Sequence, residues 1–260
     1  MFKVPDLPFK PALLIIDLQE DFLPPNGSLA VPGGRDVIPV ITELMALPWH
    51  AIIASKDWHP KNHCSFAANH VDATPFSRLP FKSPAGTGEV KDEMVWPVHC
   101  VQSSRGAEFP EEFASSIDKI DHIVLKGYLT DREYYSAFQD VWGLHHTELD
   151  SVLRERDITD VYIVGLALDY CVYNTAVDSM ALGFTTHIIR QGTMPVDPNA
   201  WDSVTVKLQS KGIEVVNMND ELVERISKCS SRRNSTVGGD SAAASHRPVV
   251  PSQSFHPISS

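Results

Sequence analysis

The sequence predicts an α/β protein: a six-stranded, mostly parallel sheet with helices on both faces. Three observations lead there. Short apolar runs recur along the chain, each the length of a strand. Their residues are apolar continuously rather than alternately, as in strands buried on both faces. Stretches of helical period separate them, so the connections are crossovers rather than hairpins.

The first run, Ala12-Leu13-Leu14-Ile15-Ile16, ends in Asp17. A carboxylate at the end of a hydrophobic strand is costly unless it is paired or used. A turn-rich segment follows, then a helix over 36–46. The second strand, 50–55, runs into Asp57-Trp58-His59-Pro60. Residues 62–110 show no clear period, so a long functional loop or lid is expected there. It carries Trp96-Pro97-Val98-His99-Cys100. The third strand, 122–125, ends in Lys126-Gly127, and an aromatic loop follows. Thr147-Glu148-Leu149-Asp150 has the form of a capping box opening a helix to about residue 157. The fourth strand, Val161-Tyr162-Ile163-Val164-Gly165-Leu166, passes into a helix whose apolar residues Val172, Ala176 and Met180 are spaced by four, up to Gly183. A strand at 185–190, a helix at 199–211 closed by Gly212, and a last strand at 213–216 complete the pattern. From Lys228 the chain turns to Ser, Pro, Ala and Gly. The expected organisation is one domain over 1–227 and a disordered tail over 228–260.

A formal charge of −11 argues against nucleic acid as a partner, since phosphate contacts need basic surface. No run approaches the roughly 18 apolar residues of a membrane span, and the first residues lack a signal peptide's apolar core. Four irregularly spaced cysteines suit reduced thiols. The expected location is the cytoplasm, with the nucleus also open to it.

The chemistry concentrates at strand ends. Cys171 falls where a parallel strand hands over to a helix, and the field of unpaired N–H groups there favours a thiolate. The same position suits a small apolar side chain filling core, and spacing leaves both readings open. Asp57 and His59, two apart in extended backbone, point to one side and could share a divalent ion; His99 offers a third donor and His63 lies close by. Lys126 ends its strand as Asp17 does, so the two could meet if their strands are neighbours. No glycine-rich phosphate loop is present.

Taken together, the pieces resemble a known family. Ile16-Asp17-Leu18-Gln19 with Asp21-Phe22, Asp57-Trp58-His59-Pro60, Trp96-Pro97-Val98-His99-Cys100, Lys126-Gly127-Tyr128, Asp131 through Phe138, and Gly165 through Val172 occur in one order over about residues 12–217. The chain resembles the nicotinamidases of the isochorismatase-like cysteine hydrolases, closest to their fungal branch. The resemblance implies hydrolysis of nicotinamide to nicotinate and ammonia through a cysteine thioester, in NAD salvage. It implies a catalytic set of Asp17, Lys126 and Cys171, a cis peptide at Leu166–Ala167, and an oxyanion hole from the backbone N–H groups of Ala167 and Cys171. It places the pyridine ring among Phe22, Trp96, Tyr135 and Tyr170. Its metal set is Asp57, His59 and His99, with His63 an additional ligand in some relatives. Zn2+ is the expected ion, with Fe2+ or Mn2+ as alternatives, and no organic cofactor. A homodimer is the default expectation. Two rivals stay open: an amidase of the same fold acting on a carbamoyl or ureido substrate, and a non-enzymatic metal or thiol sensor using Cys171 and Cys100.

Overall fold

The computed structural model describes residues 9–229. Within them the chain forms, in order, β1 (Pro11–Ile16), α1 (Val37–Leu44), β2 (Ala51–Asp57), β3 (Arg78–Lys82), β4 (Val90–Met94), β5 (His122–Lys126), α2 (Leu149–Glu155), β6 (Asp160–Leu166), α3 (Tyr173–Ala181), β7 (Thr185–Met194), α4 (Trp201–Gln209), β8 (Glu214–Val216) and α5 (Glu221–Ser227). The tail expected from 228 falls, from residue 230 on, outside the described residues.

Six strands make one sheet in the order β5-β2-β1-β6-β7-β8, and every neighbouring pair is parallel. All six residues of β1 are buried. Because side chains alternate across a strand, Leu13 and Ile15 join α1 and α5 in one core, while Ala12, Leu14 and Ile16 join α2, α3 and α4 in the other. Each such Leu or Ile contributes about 1.5–3 kcal/mol on burial. That two-sided demand is why the strand reads as an unbroken apolar run.

From β1 the chain builds outward through β2 to β5 on one side, then returns to β6 and builds outward to β8 on the other. Strands β1 and β6 therefore flank the switch point, where the crevice at the carboxyl ends of the strands opens. Gly165, at φ 107°, lets the two strands close: a Cβ there would run into the Ile16 carbonyl oxygen. The Leu166–Ala167 peptide is cis.

Four features differ from the sequence reading. The expected loop over 62–110 contains an antiparallel ribbon, β3 paired with β4. Its strands are five residues long, alternate between exposed and half-buried, and include Pro80, so they lack a strand's apolar signal. The seven-residue helix α5 is short, and capped by Asp220, whose carboxylate accepts from the Leu222 N–H. At α2 the Thr147 hydroxyl accepts from the Leu149 N–H, but Asp150 pairs with Arg154 instead of reaching back as a capping box requires. Finally, α3 is preceded by a wide π turn over Leu168–Val172, and Cys171 sits in that turn.

Candidate active site

Four adjacent strands, β5, β2, β1 and β6, each deliver one side chain at or just past the carboxyl end: Lys126, Asp57, Asp17 and Cys171. Lys126 is directly opposite Asp57 in the register and is fully buried. Strands β5 and β1 are two spacings apart, roughly 10 Å. A lysine's four-carbon stem bridges part of that gap. Its ammonium lies 2.5 Å from Asp57 Oδ1, 2.9 Å from Asp17 Oδ2 and 3.5 Å from Cys171 Sγ, and donates to the Tyr134 carbonyl at 2.9 Å. Asp17 is held from the other side by Ser55, whose hydroxyl donates to Oδ1 at 2.6 Å.

One cation thus sits among two carboxylates and a thiol, all out of water. Burial opposes the Lys126 charge, but Asp17, Asp57 and Cys171 together hold its ammonium well above the usual lysine range. Burial pushes the Asp57 carboxyl up, yet Lys126 and His59 outweigh it and hold the group well below the usual range. Asp17 comes out raised: burial and Asp57 push it up, and Lys126 only partly pulls it back. A carboxylate whose proton affinity is raised is suited to carry a proton. Cys171 departs from the sequence expectation. Burial pushes its thiol well above the ordinary value, Lys126 pulls it down, and Asp17 and Asp57 push it up again. Burial beside two acids thus favours the thiol in the protein alone, against the expected helix field.

Next to this cluster lie Asp57, His59 and His99, all buried, with donor atoms within 4.8 Å of one another. His59 Nε2 is 3.5 Å and His99 Nε2 is 3.9 Å from Asp57 Oδ2. His59 follows β2 directly. His99 arrives from a remote loop because residues 99–102 run beside it: the His59 N–H donates to the Cys100 carbonyl and the Gln102 N–H to the His59 carbonyl. The other ring nitrogens are committed. His59 Nδ1 bonds the Gly127 carbonyl at 2.8 Å and His99 Nδ1 the Pro97 carbonyl at 2.7 Å. Each Nδ1 therefore donates to a backbone carbonyl, and each Nε2 is turned toward the Asp57 carboxylate. His59 Nε2 is buried without a hydrogen-bond partner. Burial and the neighbouring His59 push His99 down to about 4. Burial opposes a charge on His59, but Asp57 outweighs it and raises the proton affinity of that ring in the metal-free fold. With that proton displaced, the two imidazoles and the ionised carboxylate make a donor set that fits a divalent metal ion. His63 lies tilted against His59 at 4.2 Å but outside the trio; its Nε2 bonds the Arg132 carbonyl and its Nδ1 the Ser65 hydroxyl.

Of the four aromatic residues, Trp96, Tyr135 and Tyr170 meet through Tyr170, and Phe22 packs on the metal-set histidine His99. Phe22 tilts against His99 at 5.5 Å, while Tyr170 meets Trp96 edge-on at 4.7 Å and Tyr135 at 5.6 Å. Other aromatics of the same loop pack elsewhere: Phe138 stacks on Phe184, and Trp142 lies under the Lys91 ammonium. Sequence reasoning gave no role to Ser55 or Gln19. Ser55 was detectable, as a polar residue ending an apolar strand that needs a buried partner.

Residues 11–220 match the family described as the isochorismatase domain. The chain is 41% identical over 211 residues to the nicotinamidase of Saccharomyces cerevisiae, covering 78% of this chain and 98% of that one. Its fold superimposes on the yeast nicotinamidase Pnc1p bound to the inhibitor nicotinaldehyde with a TM-score of 0.77 and 39% identity, over 80% of this chain and 99% of that one. The pyrazinamidase of Pyrococcus horikoshii in complex with zinc aligns with a TM-score of 0.60 and 31% identity, over 80% of this chain and 99% of the other. With the match spanning both the sheet and every residue of the cluster, the chain belongs to the isochorismatase family.

Proposed function

We propose that this protein is a nicotinamidase, hydrolysing nicotinamide to nicotinate and ammonia at Cys171, and so feeding NAD salvage. The observation that carries this is the Lys126 ammonium, 2.9 Å from Asp17 and 3.5 Å from the Cys171 sulfur, beside an Asp–His–His set. The similarity to curated nicotinamidases supports the substrate.

Asp57, His59 and His99 would hold a divalent metal ion, and zinc is the reading favoured by the donor set and by the zinc complex of the Pyrococcus relative. When bound, such an ion would supply a Lewis acid beside the substrate ring. Phe22, Trp96, Tyr135 and Tyr170 enclose the ring and exclude water. Asp17 takes the proton of the Cys171 thiol, and Lys126 stabilises the thiolate so formed. The sulfur attacks the carboxamide carbon, and the backbone N–H groups of Ala167 and Cys171 hold the oxyanion; losing one such donor typically costs about 3 kcal/mol. Asp17 returns its proton to the departing nitrogen, leaving a thioester and ammonia. It then takes a proton from water as that water attacks the thioester carbon, and returns it to the sulfur as nicotinate leaves.

An ammonia-release assay tests this, with nicotinamide set against a panel of ureido and carbamoyl compounds. Turnover of nicotinamide over the panel is expected. Preference for a ureido or carbamoyl compound would move the protein to another amidase of the fold, and no ammonia from any substrate would favour a sensor.

A further inference from the structure

Gln19 belongs to the first matched motif, yet the mechanism above gives it nothing to do. Its side chain is fully buried. The amide oxygen accepts from the Asp57 backbone N–H at 2.8 Å, and the amide nitrogen donates to the Asp57 carbonyl at 2.8 Å and to the Ala107 carbonyl at 3.1 Å. One amide therefore clamps both polar groups of Asp57's own backbone. Asp57 is the residue whose two carboxylate oxygens serve different partners: Oδ1 faces Lys126 and Oδ2 faces the imidazoles. A small rotation of its backbone would move both oxygens at once.

The clamp is tied to the other acid. Asp17 adopts φ 46°, and the Gln19 N–H bonds back to the Asp17 carbonyl at 2.8 Å, a tight turn at the end of β1. The turn that aims Asp17 at Lys126 also throws the Gln19 side chain across to the end of β2. We propose that Gln19 is a positioning residue: it fixes the Asp57 backbone so that one carboxylate is divided between the ammonium and the metal site. This rests on the metal reading of Asp57, His59 and His99.

The test is the affinity of purified metal-free protein for Zn2+, by competition with a chromogenic chelator, with no substrate present. Gln19→Met keeps the length of the side chain and removes every hydrogen bond. It is expected to weaken Zn2+ binding about 10–100-fold, the usual effect of losing a group that orients a ligand, and to lower kcat. Gln19→Glu keeps the contact to the Asp57 N–H but sets an oxygen against two carbonyls; it should also weaken binding. Leu153→Ala, in α2 away from the site, is a control for general loosening. Wild-type Zn2+ affinity in Gln19→Met, or an equal loss in Leu153→Ala, overturns the proposal. If Gln19→Met does not fold, Gln19→Glu is read by the same criteria; if neither folds, Gln19 is a folding element and the proposal falls. Wild-type protein that binds no divalent ion sinks the metal reading itself, a separate result.

Discussion

The Lys126 ammonium lies 2.9 Å from Asp17 and 2.5 Å from Asp57, nearer to both acids than to the Cys171 sulfur at 3.5 Å. It makes two adjacent buried carboxylates tolerable, and in the reaction proposed above it would also stabilise a thiolate once the proton has left. Lys126→Met strips the acids of their counter-charge. Leaving buried charge unpaired costs about 3–5 kcal/mol, so urea unfolding should show a loss of that order, together with loss of ammonia release. A loss under about 1 kcal/mol would mean that the acids do not depend on the lysine.

Cys171→Ala removes one buried sulfur, 3.5 Å from the Lys126 ammonium. The fold should survive, with unchanged circular dichroism and a small shift in melting temperature, while turnover of nicotinamide disappears. Residual activity near wild type would refute the nucleophile assignment.

His99→Ala deletes one imidazole of the trio and leaves only Asp57 and His59 as donors for the proposed ion. Metal content of the purified protein should drop and KM should rise. Unchanged stoichiometry by elemental analysis would exclude His99 as a ligand.

Acid should destabilise the metal-free protein partly through this same histidine. Burial and His59 push His99 down to about 4 in the fold, whereas an unfolded histidine titrates near pH ~6.5. Between those values the unfolded chain binds the extra proton. The contribution is thus fully present above pH ~6.5 and is lost as pH falls toward 4, at up to about 1.4 kcal/mol per pH unit for one proton. Unfolding of metal-free wild type and His99→Asn across this window isolates the histidine's contribution: the variant's slope should be shallower, and equal slopes would rule His99 out.

Gly127 follows Lys126 at φ 71°, and a Cβ there would collide with the His59 ring. Gly127→Ala therefore meets both backbone strain and a clash with a metal-site imidazole. We expect a stability loss of about 1–3 kcal/mol and weaker metal retention. Full metal content at wild-type stability would show that the loop can shift without moving His59.

What the sequence determined by itself is the sheet and the chemistry at its rim. Strands such as β1 and β6 must bury both faces, so their apolar runs survive in one dimension. Asp17 and Lys126 were legible for the same reason: a charge at the end of such a run must have a purpose. Exposed elements left no such trace, as the ribbon β3–β4 shows. Only the tertiary structure decided what meets what. Strand order sets four side chains in a row, and that order belongs to the sheet as a whole, which no single apolar run specifies. The pairing of residues 99–102 with His59 brings in His99. The clamp of Gln19 on Asp57 and the raised Cys171 thiol depend on contacts between residues dozens of positions apart. Burial and charge act through space, and the distance between two groups along a chain says little about their distance in the fold.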